Sequence, residues 1–383
     1  MNIRAAGPPQ GANCSPSGGV GAPMKLRLEA RPEPSRIAGV VSPLMAAAAT
    51  VIVGFVLFAA LGRDPWQALH VFFVKPIETR YGIGELLLKA GPLMLCAVGL
   101  AVGYRANVWN IGAEGQLTLG AIFGGGVALA LHDSTSALVL PAMIFAGAVG
   151  GMAWAAIPAF LRTRFNASEI LVSLMLVYVA GYTLSFLVQG PWRDPEGYNF
   201  PQSEMFGAAA LLPNLLSGTR LSAGFLIALA AIAAGWWFMN RSLAGYRMRV
   251  AGLAPAAAAY AGISTGRTVW IGMLTGGGCA GIAGVNEIAG PLGQLMPSIS
   301  PGYGFAAIIV AFVGRLHPVG ILLASLLLSL LYLGGEAAQM GLRLPSAVTG
   351  LFQGTLLFFL LAADVLINYR LRVLPSVRAP AAP

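Results

Sequence analysis

Long apolar runs separated by short polar breaks dominate the chain. Nearly charge-free stretches extend from about Ile37 to Leu61, Gly84 to Tyr104, Ile111 to Leu131 and Leu138 to Leu161, and a further run to Val188 starts at Asn166-Ala167-Ser168-Glu169. The later runs are about Leu221 to Met239, Trp270 to Ile288, Val319 to Leu333 and Val348 to Ile367. A bilayer core takes roughly 20 residues per spanning helix, and the runs lack the two-residue alternation of a barrel strand. They predict an all-α, polytopic membrane helical bundle. Phe305 to Val313 is only about half a crossing long, so the expected count is about ten transmembrane or half-membrane helices, roughly nine to eleven.

The breaks carry the chemistry. Asn107-Val108-Trp109-Asn110-Ile111-Gly112-Ala113-Glu114-Gly115-Gln116 is a polar, glycine-bearing interruption between two apolar runs. Asn110 is a side chain that can cap a new helix, Gly112 and Gly115 admit a second backbone, and Glu114 falls in the first turn, where it complements the helix dipole. An ionisable group at membrane depth is equally a functional candidate. Val313 to Gly320 repeats the combination of an arginine, a polar turn and a glycine, and paired broken helices flank the substrate path in transporters. The charge tally below places the first break near the basic end of the bundle. Lys89 and Pro92 predict a kink early in the second span. Glu287, Glu336 and Asp364 are further acids at or near span ends, readable as structural or as functional. Gly277 with Gly281, Gly120 with Gly124 and Gly147 with Gly151 have the small-xxx-small spacing that draws helices together.

Two loops stand out. Pro191-Trp192-Arg193-Asp194-Pro195 opens a long, proline-broken segment with Glu196 and Glu204. Residues 240 to 268 hold Arg241, Arg247, Arg249 and Arg267 and no acid, and within them Pro255 can start, and Gly262 end, a short alanine-rich helix.

Composition agrees with the pattern and adds topology. The 383 residues are 57% hydrophobic and 10% charged, with a mean hydropathy of +0.76, which excludes a soluble globule. The net charge of +9 is not a nucleic-acid surface, because the basic residues occupy loops and tails. Sorting the 23 Lys and Arg by side puts 16 with the N-terminus and 7 opposite, which predicts both termini in the cytoplasm. Residues 1–36 read as a flexible basic cytoplasmic tail, 37–368 as the transmembrane domain and 369–383 as a second cytoplasmic tail. Cys14, Cys96 and Cys279 have neither metal nor disulfide spacing, and Cys14 follows no apolar segment. Lys25, Lys75 and Lys89 never follow glycine, so no phosphate-binding loop for ATP exists. Gly276, Gly278 and Gly281 match a dinucleotide fingerprint only inside a span. His70, His132 and His317 are single residues at span ends, and no catalytic or metal set emerges.

Taken together, Asn110-Ile111-Gly112-Ala113-Glu114-Gly115-Gln116, Gly-Pro-Trp-Arg-Asp-Pro at 190 to 195, Arg249-Val250-Ala251-Gly252 through Ala261-Gly262-Ile263, and Gly302-Tyr303-Gly304-Phe305 through Gly314-Arg315-Leu316-His317-Pro318 carry a resemblance. The chain resembles permease subunits of bacterial ABC importers of the branched-chain amino acid and simple-sugar superfamily, in its nucleoside and simple-sugar branch. It departs from that pattern at Trp109, where the family more often has Phe, and at Ala254, Pro255 and Ala256, where the family more often has an Asn and Pro or Glu. The resemblance implies a multi-pass protein of the bacterial inner membrane that binds no cofactor itself. Its implied partners are a second related permease, a cytoplasmic ATP-binding subunit that hydrolyses ATP, an external substrate-binding protein and the surrounding membrane lipid. It implies a coupling segment at Arg247, Arg249, Gly252, Pro255, Ala261 and Gly262, and nucleosides as cargo. A polar, planar cargo calls for hydrogen-bonding groups and aromatic faces, for which the candidates are Trp109, Asn110, Glu114, Gln116, Tyr303 and Phe305. The rival reading is an autonomous, proton-coupled secondary transporter of a small polar solute, with Glu114 or Asp364 carrying the proton; an intramembrane enzyme is a third.

Overall fold

The structure is a computed structural model that describes residues 24–30, 36–345 and 347–375. Cys14 and Arg378 lie outside the described residues, as does most of the N-terminal tail, and the side chain of Asp364 is not described. Strand β1 (Met24–Ala30) precedes helices α1 (Arg36–Ala60), α2 (Pro65–Leu69), α3 (Arg80–Arg105), α4 (Ala113–Ala130), α5 (Val139–Phe165) and α6 (Glu169–Gln189). Then follow α7 (Gly224–Arg241), α8 (Leu243–Leu253), α9 (Pro255–Tyr260), α10 (Thr265–Glu287), α11 (Tyr303–Val313), α12 (Pro318–Leu342), α13 (Ala347–Asn368) and strand β2 (Tyr369–Pro375). Among the described residues, six helical segments are long and apolar enough to cross a membrane: α3, α5, α6, α7, α12 and the continuous helical segment Thr265–Leu292.

Each expected run forms a helix within a few residues of its predicted ends, α12 excepted, which continues past Leu333 to Leu342. The half-length run is α11, eleven residues ending at a turn in which Arg315 and Leu316 adopt positive φ (54° and 53°). Helix α3 passes through Pro92 without ending. Ser168 caps α6 as its sequence suggests, its Oγ accepting from Leu171 N. The body is helical, and the chain ends add one feature absent from the all-α expectation. Strands β1 and β2 pair antiparallel from Met24 opposite Pro375 to Ala30 opposite Tyr369, so residues 24–30 and 369–375 lie together. The signal was a short apolar and charged alternation, Lys25, Arg27 and Glu29 between Met24, Leu26 and Leu28.

Helices α4, α5 and α10 meet through glycine. A Cβ on Gly120 would stand 2.7 Å from the Gly281 carbonyl carbon, and one on Gly281 would press on Gly147 and Gly151. The predicted small-xxx-small pairs thus form one three-helix seam, where backbones approach because no side chain intervenes. Helix α3 joins the same core along its buried face, with Gly99 against Gly276. Cys96 packs in it as a free, buried thiol.

Candidate functional site

The polar break after α3 turns inward. Asn107 adopts φ 56°, Val108 N donates to Gly103 O at 3.0 Å, and the chain runs back beside the helix it has just left. Asn110 comes to lie against Gly276, eleven residues into α10. At 1.5 Å per residue that is roughly 16 Å along the helix, about half a bilayer core. Helix α4 therefore starts deep in the bundle. The expectation that this break sits near the basic end is corrected: the turn at Asn107 does, but Asn110 to Glu114 do not.

Asn110 and Gln116 are both about 1% exposed and hold each other through two hydrogen bonds between their side-chain amides, of 2.8 and 3.1 Å. Asn110 Oδ1 also accepts from Gly112 N at 3.0 Å. Asn110 thus serves the start of α4 from two residues ahead of the N-cap position, which Gly112 occupies. Trp109 stacks on Phe312 (centroids 5.7 Å apart) and beside Tyr104 (5.2 Å), and Tyr104 stacks on Phe312 in turn (5.3 Å). The Trp109 backbone N donates to Glu169 Oε1 at 3.3 Å, and Glu169 is ion-paired with Arg162. A direct tie links the two broken segments, since Arg105 Nε donates to Leu316 O at 3.1 Å.

Glu114 makes the junction between α4 and α11. Its Oε2 accepts from Gly304 N at 2.6 Å, and the Ser300 hydroxyl hydrogen-bonds the same carboxylate. A side chain on Gly304 would collide with the Glu114 backbone, so a glycine is required for this approach.

Above this junction, towards the end of the bundle away from Arg105, lies a cavity of about 410 Å³. Ser300 and Tyr303 form part of its wall, with Glu85 and Lys89 of α3. Arg220, Glu287 and Glu336 complete its charged lining. Lys89 Nζ pairs with Glu336 Oε1 at 2.8 Å, and Arg220 Nε stands 3.8 Å from Glu85 Oε1. Of the six residues singled out for a substrate path, only Tyr303 lines this cavity, and Glu114 reaches it through Ser300. Trp109, Asn110 and Gln116 lie deeper, tied to one another or to the neighbouring turn, and Phe305 is 40% exposed elsewhere on α11. The charged lining was visible only as separate ionisable residues at span ends, since nothing local groups Glu85 with Arg220 or Lys89 with Glu336.

At the opposite end, the acid-free stretch folds as read. Pro255 occupies the first turn of α9, Ala261 is its C-cap and Gly262 follows at φ 77°. Apart from the buried Ala258, α9 is exposed, with Tyr260 at 97%. Gly252 packs on Arg105 O, and Arg247 lines a groove with Ala261, Gly262 and Arg267, while Arg249 stands exposed on α8. A small cavity bounded by Pro255, Ala258, Asn107 and Val108 shows that α9 lies directly under the inward turn.

Residues 82–361 match the model of the branched-chain amino acid transport system permease component family. The chain belongs to that family. The glucose ABC transporter permease protein TsgB13 of Haloferax volcanii is 36% identical over 89% of this chain and 92% of its own length. The nucleoside ABC transporter permease protein NupB of Lactococcus lactis is 28% identical over 89% of this chain and 95% of its own. The guanosine ABC transporter permease protein NupP of Bacillus subtilis is 28% identical over 85% and 93%. The permease is accordingly an integral inner-membrane subunit of an ABC transporter, and its apolar helices are the membrane-crossing part.

Proposed function

We propose that the permease moves a nucleoside or simple sugar inward by alternating access, powered by ATP that a separate cytoplasmic subunit hydrolyses. The observation that carries the reading is the cavity of about 410 Å³ walled by Tyr303, Ser300 and paired charges, directly above the Glu114–Gly304 junction. That volume suits a nucleoside-sized ligand, and hydrogen-bonding groups converge on it. Similarity to permeases of glucose, nucleosides and guanosine supports the cargo class. In this reading both termini are cytoplasmic, so the cavity faces outward to receive cargo from an external binding protein. Residues of α8 and α9, Arg247, Arg249, Gly252, Pro255, Ala261 and Gly262 among them, dock on the ATP-binding subunit. A second related permease completes the membrane pair. This chain holds no cofactor and performs no chemistry on the cargo.

The test is uptake of labelled guanosine and glucose by proteoliposomes containing the assembled importer and its binding protein. Uptake should require ATP on the side of the ATP-binding subunit and vanish when that subunit is inactivated. Uptake that survives inactivation and collapses with an uncoupler would overturn the reading in favour of a proton-coupled carrier.

A further inference from the structure

Charge pairing in the cavity leaves acceptors over. Lys89 is bonded to Glu336, while Arg220 stands 3.8 Å from Glu85, too far for a hydrogen bond. Glu85 Oε1 is consequently buried without a hydrogen-bond partner. Glu287, 8% exposed and on the cavity wall, has a carboxylate with no hydrogen bond among the described residues, though Lys89 and Arg220 act on it electrostatically. A buried carboxylate without donors is costly, so unfilled acceptors on residues that line a cavity point to donors arriving with a ligand.

The neighbours narrow the ligand. Lys89 and Arg220 against Glu85, Glu287 and Glu336 leave one negative charge over, which disfavours an anionic cargo, while the two cations that already act on Glu287 lower the gain from a cationic one. A neutral molecule that brings hydrogen-bond donors, such as hydroxyls, fits this lining. One carboxylate can accept from two adjacent hydroxyls at once, as acids that bind ribose do in dinucleotide sites. Glucose and guanosine, the cargoes for which two relatives are named, share adjacent ring hydroxyls and little else.

We infer that Glu287, assisted by Glu85, is a specificity-determining residue that accepts hydrogen bonds from the vicinal hydroxyls of the cargo's sugar ring. The inference rests on the proposed transport of nucleosides or sugars through this cavity. Its test compares maximal uptake of guanosine and 2′,3′-dideoxyguanosine by the reconstituted importer, each at saturating loaded binding protein so that receptor affinity drops out. The wild type should favour guanosine by roughly tenfold or more, the weight of a hydrogen bond to a charged group. Glu287→Gln should slow guanosine and erase most of that preference, while Glu287→Asp should retain part of it. Equal rates for both cargoes in the wild type would overturn the inference and leave the transport reading intact, as would an equal loss for both in Glu287→Gln. Failure of both variants to assemble with the other subunits would make the acid structural and also overturn it. A wild type that moves neither guanosine nor glucose would instead refute the transport reading itself.

Discussion

Replacing Gly304 by alanine tests the junction on which the site rests. The new Cβ would stand 2.5 Å from Glu114 Cα and 2.7 Å from the Ala113 carbonyl carbon, both backbone atoms that no rotamer can move aside. Ordinary contact begins near 3.4 Å, so α11 or the start of α4 must shift by close to an ångström. If the helices stay, the overpacking costs roughly 1–3 kcal/mol. If they separate, the 2.6 Å bond from Gly304 N to Glu114 loosens, and a hydrogen bond to a charged acceptor contributes roughly 1.5–3 kcal/mol. Either way we expect a loss of about 2 kcal/mol. The purified permease in detergent should melt a few degrees lower, and the reconstituted importer should lose most of its uptake. Gly181→Ala is the control, because a Cβ there meets nothing within 4 Å. Glu114→Gln keeps an acceptor for Gly304 N and should impair transport more than assembly. A Gly304→Ala permease that melts and transports like the wild type would refute the close approach of α11 to α4.

Three further outcomes follow from the same geometry. Gly281→Ala would place a Cβ against Gly147 O, 2.9 Å from its carbonyl carbon, at the seam of α4, α5 and α10; we expect a loss of about 1–3 kcal/mol, read as reduced yield of monodisperse protein on size exclusion. Asn110→Ala strands the Gln116 amide and Gly112 N, costing roughly 2–4 kcal/mol, and adding Gln116→Ala should cost less than the two single changes summed, because they share one pair of bonds. Replacing 255–262 by a flexible linker should abolish co-purification of the ATP-binding subunit while membrane insertion persists, and retained co-purification would sink the coupling role of α9.

Spans were legible because lipid leaves no alternative to a long apolar helix, so the ends of α1, α4, α5 and α13 follow from where the run stops. Short helix α9 was equally legible from Pro255 and Gly262, each of which has one local conformational meaning. The depth of the inward turn was not. Asn107 at φ 56° sends the chain back along α3, yet an asparagine followed by Val-Trp is compatible with several turns, and the choice is made by Gly272 and Gly276 on a helix over 150 residues away. Charge tallies report only which end a loop belongs to, which is why Asn110 and Glu114 were expected near the basic end. The cavity was opaque for a related reason. Its ion pairs join residues that only tertiary packing brings together, Lys89 with Glu336 being 247 positions apart.

The two broken segments meet through α11, and this gives the proposed coupling a physical route. Helix α11 is a rod of eleven residues, roughly 16 Å long, bounded at both ends by non-helical turns. At its basic end Phe312 packs against the rings of both Tyr104 and Trp109, and Leu316 O is held by Arg105, whose own carbonyl packs on Gly252 of α8. At the other end Gly302 stands at φ 94°, Ser300 Oγ accepts from Tyr303 N, and Gly304 is locked to Glu114. In the proposed coupling a displacement of α8 and α9 by the ATP-binding subunit would have a rigid element to push, and that element ends on Tyr303, which with Ser300 of the preceding turn walls the cavity. Coupling requires an element with two arrangements, and short turns at both ends are where α11 can tilt without unfolding. In the proposed coupling Glu114 would be the latch on its cavity end, a gating part distinct from gripping the cargo.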